Sequence, residues 1–373
     1  MGLVVLFVAA CSSAGDSNPP PTGYKYYAYV AGGDSLSKHV YAFAINIATG
    51  ALTAVAGSPF DAEWGPNFVA VDPSGKFAYV GNSSSFYFSD NVSAFSINAR
   101  TGALKAVASS PFAAYSWPNS IAVDPSGKFA YVAHGIYAYI SAFTINTVTG
   151  ALTAVAGSPF GTAGAPYSIA VDPSGKFAYT ANDSNNVSAL TVNAVTGALT
   201  VIGGSPFAAG QNPESVMVDP SGKFVYVANR GSNDVSAFTI DAVTGALTVV
   251  AGSPFSVGMG PVPMNPVSVC VDPSGKFVYT ANHNSDNVSA FTIDAVTGAL
   301  TAIAGSPFAA GGMNPHSIKV DPSGKFAYMA NAGSNNVSVF SISPATGALT
   351  AVAGSPFAAI SASGEIAVAR IAQ

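Results

Sequence analysis

The chain has 373 residues, 49% of them hydrophobic and only 8% charged, with thirteen Lys and Arg against eighteen Asp and Glu for a net charge of -5. A nucleic-acid binder working through a basic face is excluded, because phosphate contacts need clustered Lys and Arg. Forty-one aromatic residues exclude disorder, and 38 Gly and 25 Pro without a three-residue or heptad period exclude collagen-like and coiled-coil chains.

The chain opens on an apolar run, Met1 to Cys11, ending Val8-Ala9-Ala10-Cys11. It is too short to span a bilayer as a helix. Small residues before a cysteine resemble the lipobox of bacterial lipoproteins. Residues 1–10 are therefore expected to be a lipoprotein signal peptide and Cys11 the lipidated residue, which implies an extracytoplasmic domain anchored to a bacterial membrane or cell surface. No Lys or Arg precedes the run, as a secretion signal would carry, so the true start is expected upstream. Residues 11–22, rich in Ser and Pro, read as a flexible tether. Cys270, in the run Val267-Ser268-Val269-Cys270-Val271, reads as a small buried hydrophobe.

From Gly23 onward one unit repeats. Thr-Gly-Ala-Leu begins at Thr49, Thr101, Thr149, Thr196, Thr244, Thr297 and Thr346, at intervals of 47 to 53 residues. Ser-Pro-Phe follows each copy, and Asp-Pro-Ser-Gly-Lys occurs six times, from Asp72 to Asp321. A period of 40–50 residues built of short strands is the signature of a β-propeller. Within Ser168 to Phe207 the strands are expected at Ser168–Val171, Phe177–Thr180, Val187–Val192 and Ala198–Ile202, joined by an Asp-Pro-Ser-Gly turn, an Asn-rich loop and a Thr-Gly turn. Helix is expected to be nearly absent.

The ends fix how the ring closes. The first unit starts at its second strand, Tyr26 to Val30, and the chain finishes with Ile366-Ala367-Val368-Ala369, which matches the inner-strand pattern. The fold expected for residues 23–373 is thus all-β, a seven-bladed propeller of four-stranded antiparallel blades, with the C-terminal strand completing blade one. Such a closed ring has no free edge, and a monomer is expected.

The motif Val-Asp-Pro-Ser-Gly-Lys-Phe-Ala-Tyr-Val-Ala-Asn, followed by Asn-Val-Ser-Ala-Phe and Thr-Gly-Ala-Leu, resembles the lactonase-type seven-bladed propellers. These include 6-phosphogluconolactonases and carboxymuconate-cyclase-like enzymes, and adjoin the YVTN-repeat surface proteins. The resemblance covers residues 24 to 373 and implies the fold, with lactone chemistry as the activity of its enzymes.

Candidate residues come from positions where one copy departs from the others. At the lead-in to the inner strand the residue after Pro is Asn67, Asn119, Tyr167, Glu214, Val267 or His316, and blade one has Gly364 followed by Glu365. After the second strand, His134 replaces an Asn, while Arg230 and His283 follow one. Glu214, Arg230, His283 and His316 are expected on one face over blades five to seven, where a carboxylate, a guanidinium and two imidazoles can activate water and stabilise an oxyanion. The resemblance adds that Pro315-His316-Ser317 is similar to the inner-strand His motif of the family's enzymes, and Asn229-Arg230 to an Arg of their outer loop. Those enzymes also carry Arg at inner-strand lead-ins and a loop Glu beside the His blade; here no lead-in has Arg, and Gly364 and Glu365 follow instead.

A second set is aromatic: Trp64, Phe86, Tyr87, Phe88, Trp117 and Tyr167, in loops of blades two to four, suited to stacking on a sugar or meeting a protein. No metal motif and no cofactor motif has recognised spacing, so none is expected. Two functions follow. The leading one is a lipid-anchored binding module at the cell surface, taking a carbohydrate, lactone or protein at the channel mouth. The alternative is a lactone hydrolase, or a related cycloisomerase, with its site at that mouth.

Overall fold

The computed structural model describes residues 23–33, 36–84, 89–258, 260, 262–359 and 364–373. Residues 1–22, read above as signal peptide and tether and including Cys11, lie outside the described residues, as do Phe86, Tyr87 and Phe88. Among the described residues there are thirty-five strands and no helix.

The strands form seven antiparallel sheets. Blade two is typical: inner strand Pro66–Val71, second strand Phe77–Ser84, third strand Ser89–Ile97 and outer strand Leu104–Ala106. The inner strands of blades three to seven are Pro118–Val123, Pro166–Val171, Pro213–Val218, Pro266–Val271 and Pro315–Val320. The Ser-Pro-Phe segment does not simply cross to the next unit. Its Phe opens a two-residue fifth strand that pairs back on the third, as Phe112 does with Val92. The Ser hydroxyl of that segment accepts a backbone N–H of the third strand at 2.9–3.0 Å in all seven copies. This is why the triplet recurs in step with the blade.

Each repeated turn has a visible job. In blade three, Asp124 is 4% exposed, and its Oδ1 accepts the N–H groups of Lys128 and Phe129 at 2.8 and 2.7 Å. Its Oδ2 accepts the Ser126 N–H and hydroxyl. At the outer turn Gly150 sits at φ +78°, with the Phe77 ring of the preceding blade 2.4 Å from where a Cβ would be, so glycine is required twice over.

Blades are stitched by one repeated bond. Tyr29, Tyr79, Tyr131, Tyr179, Tyr226 and Tyr279, all buried, each donate the phenol O–H to the Thr-Gly-Ala-Leu glycine carbonyl of the next blade. Tyr328 of blade seven completes the circle by donating to Gly50 of blade one at 3.2 Å. The C-terminal strand Ile366–Ala372 pairs along Tyr24–Ala31, from Tyr24 with Ala372 to Val30 with Ile366. Blade one therefore contains both ends of the described chain. The apolar core is spread between neighbouring blades; Ile366 and Ile371 are 0% and 2% exposed.

Candidate functional site

Every inner strand of blades two to seven begins with the same irregularity. In blade five Pro213 pairs with Asn229 and Ser215 with Ala228, leaving Glu214 as an extra residue. The same register shift isolates Asn67, Asn119, Tyr167, Val267 and His316. A β-bulge re-aims a side chain, and here it turns six variable residues toward the channel mouth. Below them lies a second ring: Phe68, Ser120, Ser168, Ser215, Ser268, Ser317 and, in blade one, Glu365. The two rings line a cavity of about 110 Å³.

The serine ring holds the blades in register. Ser120, Ser168, Ser215, Ser268 and Ser317 each accept the N–H that follows the equivalent position in the next blade, at 3.2–3.3 Å. The loop after the second strand is tied to the lead-in as well: the N–H groups of Arg230 and His283 donate to the Asn212 and Asn265 carbonyls at 2.9 and 3.0 Å. Asn212 and Asn265 adopt φ near +51° and +52°, where Asn is tolerated. This backbone tie brings a residue of one loop beside the bulged residue of another.

The four polar candidates do converge. Arg230 Nη1 lies 4.0 Å from Glu214 Oε2, with side chains 46% and 23% exposed. Burial raises the Glu214 carboxyl above the usual carboxylate range, and Arg230 opposes that rise. Burial first, then His283 and Arg230, lower His316 to about 4, so its imidazole is neutral at pH 7. His283 Nδ1 meets Asn284 Oδ1 at 3.0 Å, and the His283 carbonyl accepts from Asn314 Nδ2 at 3.3 Å.

The aromatic candidates separate. Tyr167 belongs to the mouth, where burial and then Glu214 and Asp183 raise its phenol. Trp64 is half-buried beneath Lys38, whose Nζ is 4.2 Å from the ring centroid. Trp117 is 43% exposed, and its backbone N–H donates to Asp90 at 3.0 Å. Tyr115, Tyr137 and Tyr139 form a separate cluster, with Tyr137 and Tyr139 parallel at 5.4 Å and Tyr115 edge-on to Tyr139.

His134 departs from the repeat without being free to act. In blades two and four to seven this position is a buried Asn, such as Asn229, which donates to Asp234 and to Ser236 Oγ. His134 meets the matching Ser141 Oγ at 2.8 Å and the Ser116 carbonyl at 3.0 Å, with no exposed surface. Burial lowers it to about 4. The unfolded chain, titrating near 6.5, binds a proton that the folded chain refuses. Stability is therefore lost as pH falls from about 6.5 toward 4, on the order of 3 kcal/mol from this group. His134→Asn is expected to flatten that acid limb in urea melts at pH 7, 5 and 4, and identical profiles for the two proteins would refute the assignment.

Two features escaped the sequence reading. Lys319 stands where other inner strands have Ala, Met or Cys, and its Nζ is 2.7 Å from Glu365 Oε1, linking blade seven to blade one inside the channel. Phe68 replaces the ring serine of blade two, opposite Gly81 where every other blade has Ala. Both are single-copy departures, a signal that comparing whole repeats would have shown. Cys270 is buried, its thiol pushed up to about 12.

A larger groove of about 560 Å³, lined by Tyr24, Tyr26, Ile47 and Arg100 among others, lies away from the mouth and contains neither carboxylate nor imidazole. Size alone therefore does not mark the site. Against known families, the model described as "Lactonase, 7-bladed beta-propeller" matches in four overlapping stretches, residues 37–208, 162–263, 200–311 and 259–359. The chain belongs to the lactonase family of seven-bladed β-propellers.

No curated protein matches this lactonase-family propeller in sequence. Solved structures match in fold. A Bacteroides fragilis protein provisionally named a 6-phosphogluconolactonase is 22% identical with a TM-score of 0.79, covering 94% of this chain and 100% of its own. The periplasmic gluconolactonase of Pseudomonas aeruginosa is 16% identical with a TM-score of 0.79, covering 93% of this chain and 99% of its own. A Lactobacillus plantarum protein is 17% identical, with a TM-score of 0.78.

Proposed function

We propose that this lactonase-family propeller hydrolyses a small, uncharged lactone at its channel mouth. The observation that carries the reading is that Glu214 and a neutral His316 line one small cavity, with Arg230 4.0 Å from Glu214, in a chain of this family. That order reverses the expectation that put a binding module first.

Glu214 is the base: its raised carboxyl takes a proton from water better than an ordinary carboxylate does. The water oxygen bonds to the lactone carbonyl carbon, and Arg230 faces the charge that develops on the carbonyl oxygen. His316, uncharged, donates a hydrogen bond to the ring oxygen. The ring C–O bond then breaks, and the departing alkoxide receives the proton held by Glu214, leaving a hydroxy acid. Lys319 is paired with Glu365, which leaves Arg230 as the cation beside Glu214, too little charge to hold a phosphate dianion as well as the oxyanion. A phosphorylated lactone is disfavoured on that ground.

Initial rates of ring opening over a panel of neutral and phosphorylated lactones test the reading. Arg230→Met and His316→Ala are each expected to lower kcat/KM about 100-fold or more. The wild-type rate should fall as pH drops through the raised Glu214 value, because the base must be ionised. A wild-type rate equal to buffer on every lactone sinks the proposal.

The Val8-Ala9-Ala10-Cys11 sequence supports an extracytoplasmic, membrane-anchored location with Cys11 acylated. Fatty-acid labelling that persists in Cys11→Ser would overturn that part.

A further inference from the structure

The face opposite the mouth carries two hairpins from each of blades two to seven, and repetition places like residues at like radius. Lys76, Lys128, Lys176, Lys223, Lys276 and Lys325, all exposed, ring its centre over blades two to seven. Farther out, Val148, Val195, Val243 and Val296 stand 85–88% exposed at the hairpin tips of blades three to six, and blade two has the exposed Arg100 there. The six aspartates beside the lysines are only 3–7% exposed, with their oxygens engaged by the turn. Among the described residues, the exposed side-chain carboxylates of this face are Asp241 and Asp294. The mouth face is opposite in sign: its loops hold Asp61, Glu63, Asp90, Asp183, Asp234 and Asp286 against Lys38 and Arg230. The chain also enters the ring on the lysine face, where the Gly23 carbonyl accepts the Gln373 N–H at 2.6 Å.

We propose that the lysine face rests on an anionic lipid bilayer, turning the mouth away from the membrane. Each lysine near an anionic surface adds attraction that salt screens. The ring of six acts together because the propeller holds the lysines on one side. A soluble polyanion would need only the lysines; valines at the rim suit the apolar boundary of a bilayer. The twenty-two residues before Gly23 join the domain on this same side, so an anchor placed there and the lysine face would engage one membrane. The inference does not rest on lactone hydrolysis, and the two can fail separately.

The test is sedimentation of the full chain with vesicles, every sample carrying Cys11→Ser so that no acyl chain contributes. Vesicles of phosphatidylglycerol mixed equally with phosphatidylcholine are compared with phosphatidylcholine alone. The protein is expected to pellet with the anionic vesicles and to be released by salt. Reversing Lys128, Lys176 and Lys223 to Glu should weaken partitioning about tenfold or more. Changing Val148, Val195 and Val243 to Ser should weaken it about threefold, with melting temperatures unchanged in both variants. Equal pelleting on both vesicle types, pelleting without vesicles, or undiminished binding by the folded lysine variant would each overturn the proposal. Undiminished binding by the valine variant would also overturn it, in favour of a soluble polyanion.

Discussion

Removing Ile366 to Gln373 is expected to lower the melting temperature by about 10 °C or more, or to abolish the cooperative transition. These residues are the inner strand of blade one. Without them Tyr24–Ala31 loses its pairing from Tyr24 to Val30, and Ser317 loses the Ile366 N–H it accepts. Ile366 and Ile371, almost fully buried, each contribute about 2 kcal/mol through burial alone. Each lost ladder bond adds about 1 kcal/mol. Together these losses rival the roughly 5–15 kcal/mol that separates a folded domain from its unfolded chain. Glu365 would also lose the strand that holds it beside Lys319 in the channel. A synthetic peptide of residues 364–373 added to the shortened chain should restore part of the transition by taking the vacant edge. An unchanged melting temperature in the shortened chain would show that the ring does not depend on this closure.

The second large effect is expected at Gly81. An Ala Cβ there would lie 1.5 Å from Phe68 Cζ, an overlap no small shift can relieve. Gly81→Ala is therefore expected to cost about 3 kcal/mol, the upper end for overpacking. Phe68→Ser alone leaves a void where a buried ring stood, costing about 3–5 kcal/mol. The double variant recreates the Ser–Ala pair that blades three to seven already contain, as at Ser120 with Ala133. The new Ser hydroxyl would also sit where its counterparts accept the next blade's N–H. The double-mutant cycle should thus show a favourable coupling of about 2 kcal/mol or more. Additive losses in urea melts would mean that Phe68 and Gly81 do not compensate each other. Because Phe68 lines the mouth, the double variant also widens it, and turnover of bulkier lactones can be read from the same protein.

Much of the fold was legible because a propeller is local and repetitive. The Asp-Pro-Ser-Gly and Thr-Gly turns place each strand boundary within its own unit, and a repeat near 49 residues leaves few architectures. Ring closure was readable because the first unit lacks an inner strand and the last eight residues supply one. The sequence also singled out Glu214, Arg230, His283 and His316, since each stands at a position that varies between copies of an otherwise regular repeat.

Tertiary structure decided what those departures mean. His134 and His316 are both unusual histidines in the same loop sets, yet one is sealed against Ser141 and the other opens on the cavity. The difference lies in the bulge, which aims residue 316 at the mouth, whereas residue 134 ends a flat buried strand. Tyr167 and Trp117 looked alike as loop aromatics, and only the packing put Tyr167 beside Glu214 while leaving Trp117 at the rim. The Lys319–Glu365 pair joins residues of two blades that meet only when the circle closes. The chain thus determined its strands, turns and blade count by itself, because those depend on neighbours in sequence. Which side chains share the channel depended on seven blades converging on one axis, a geometry that exists only in the closed ring.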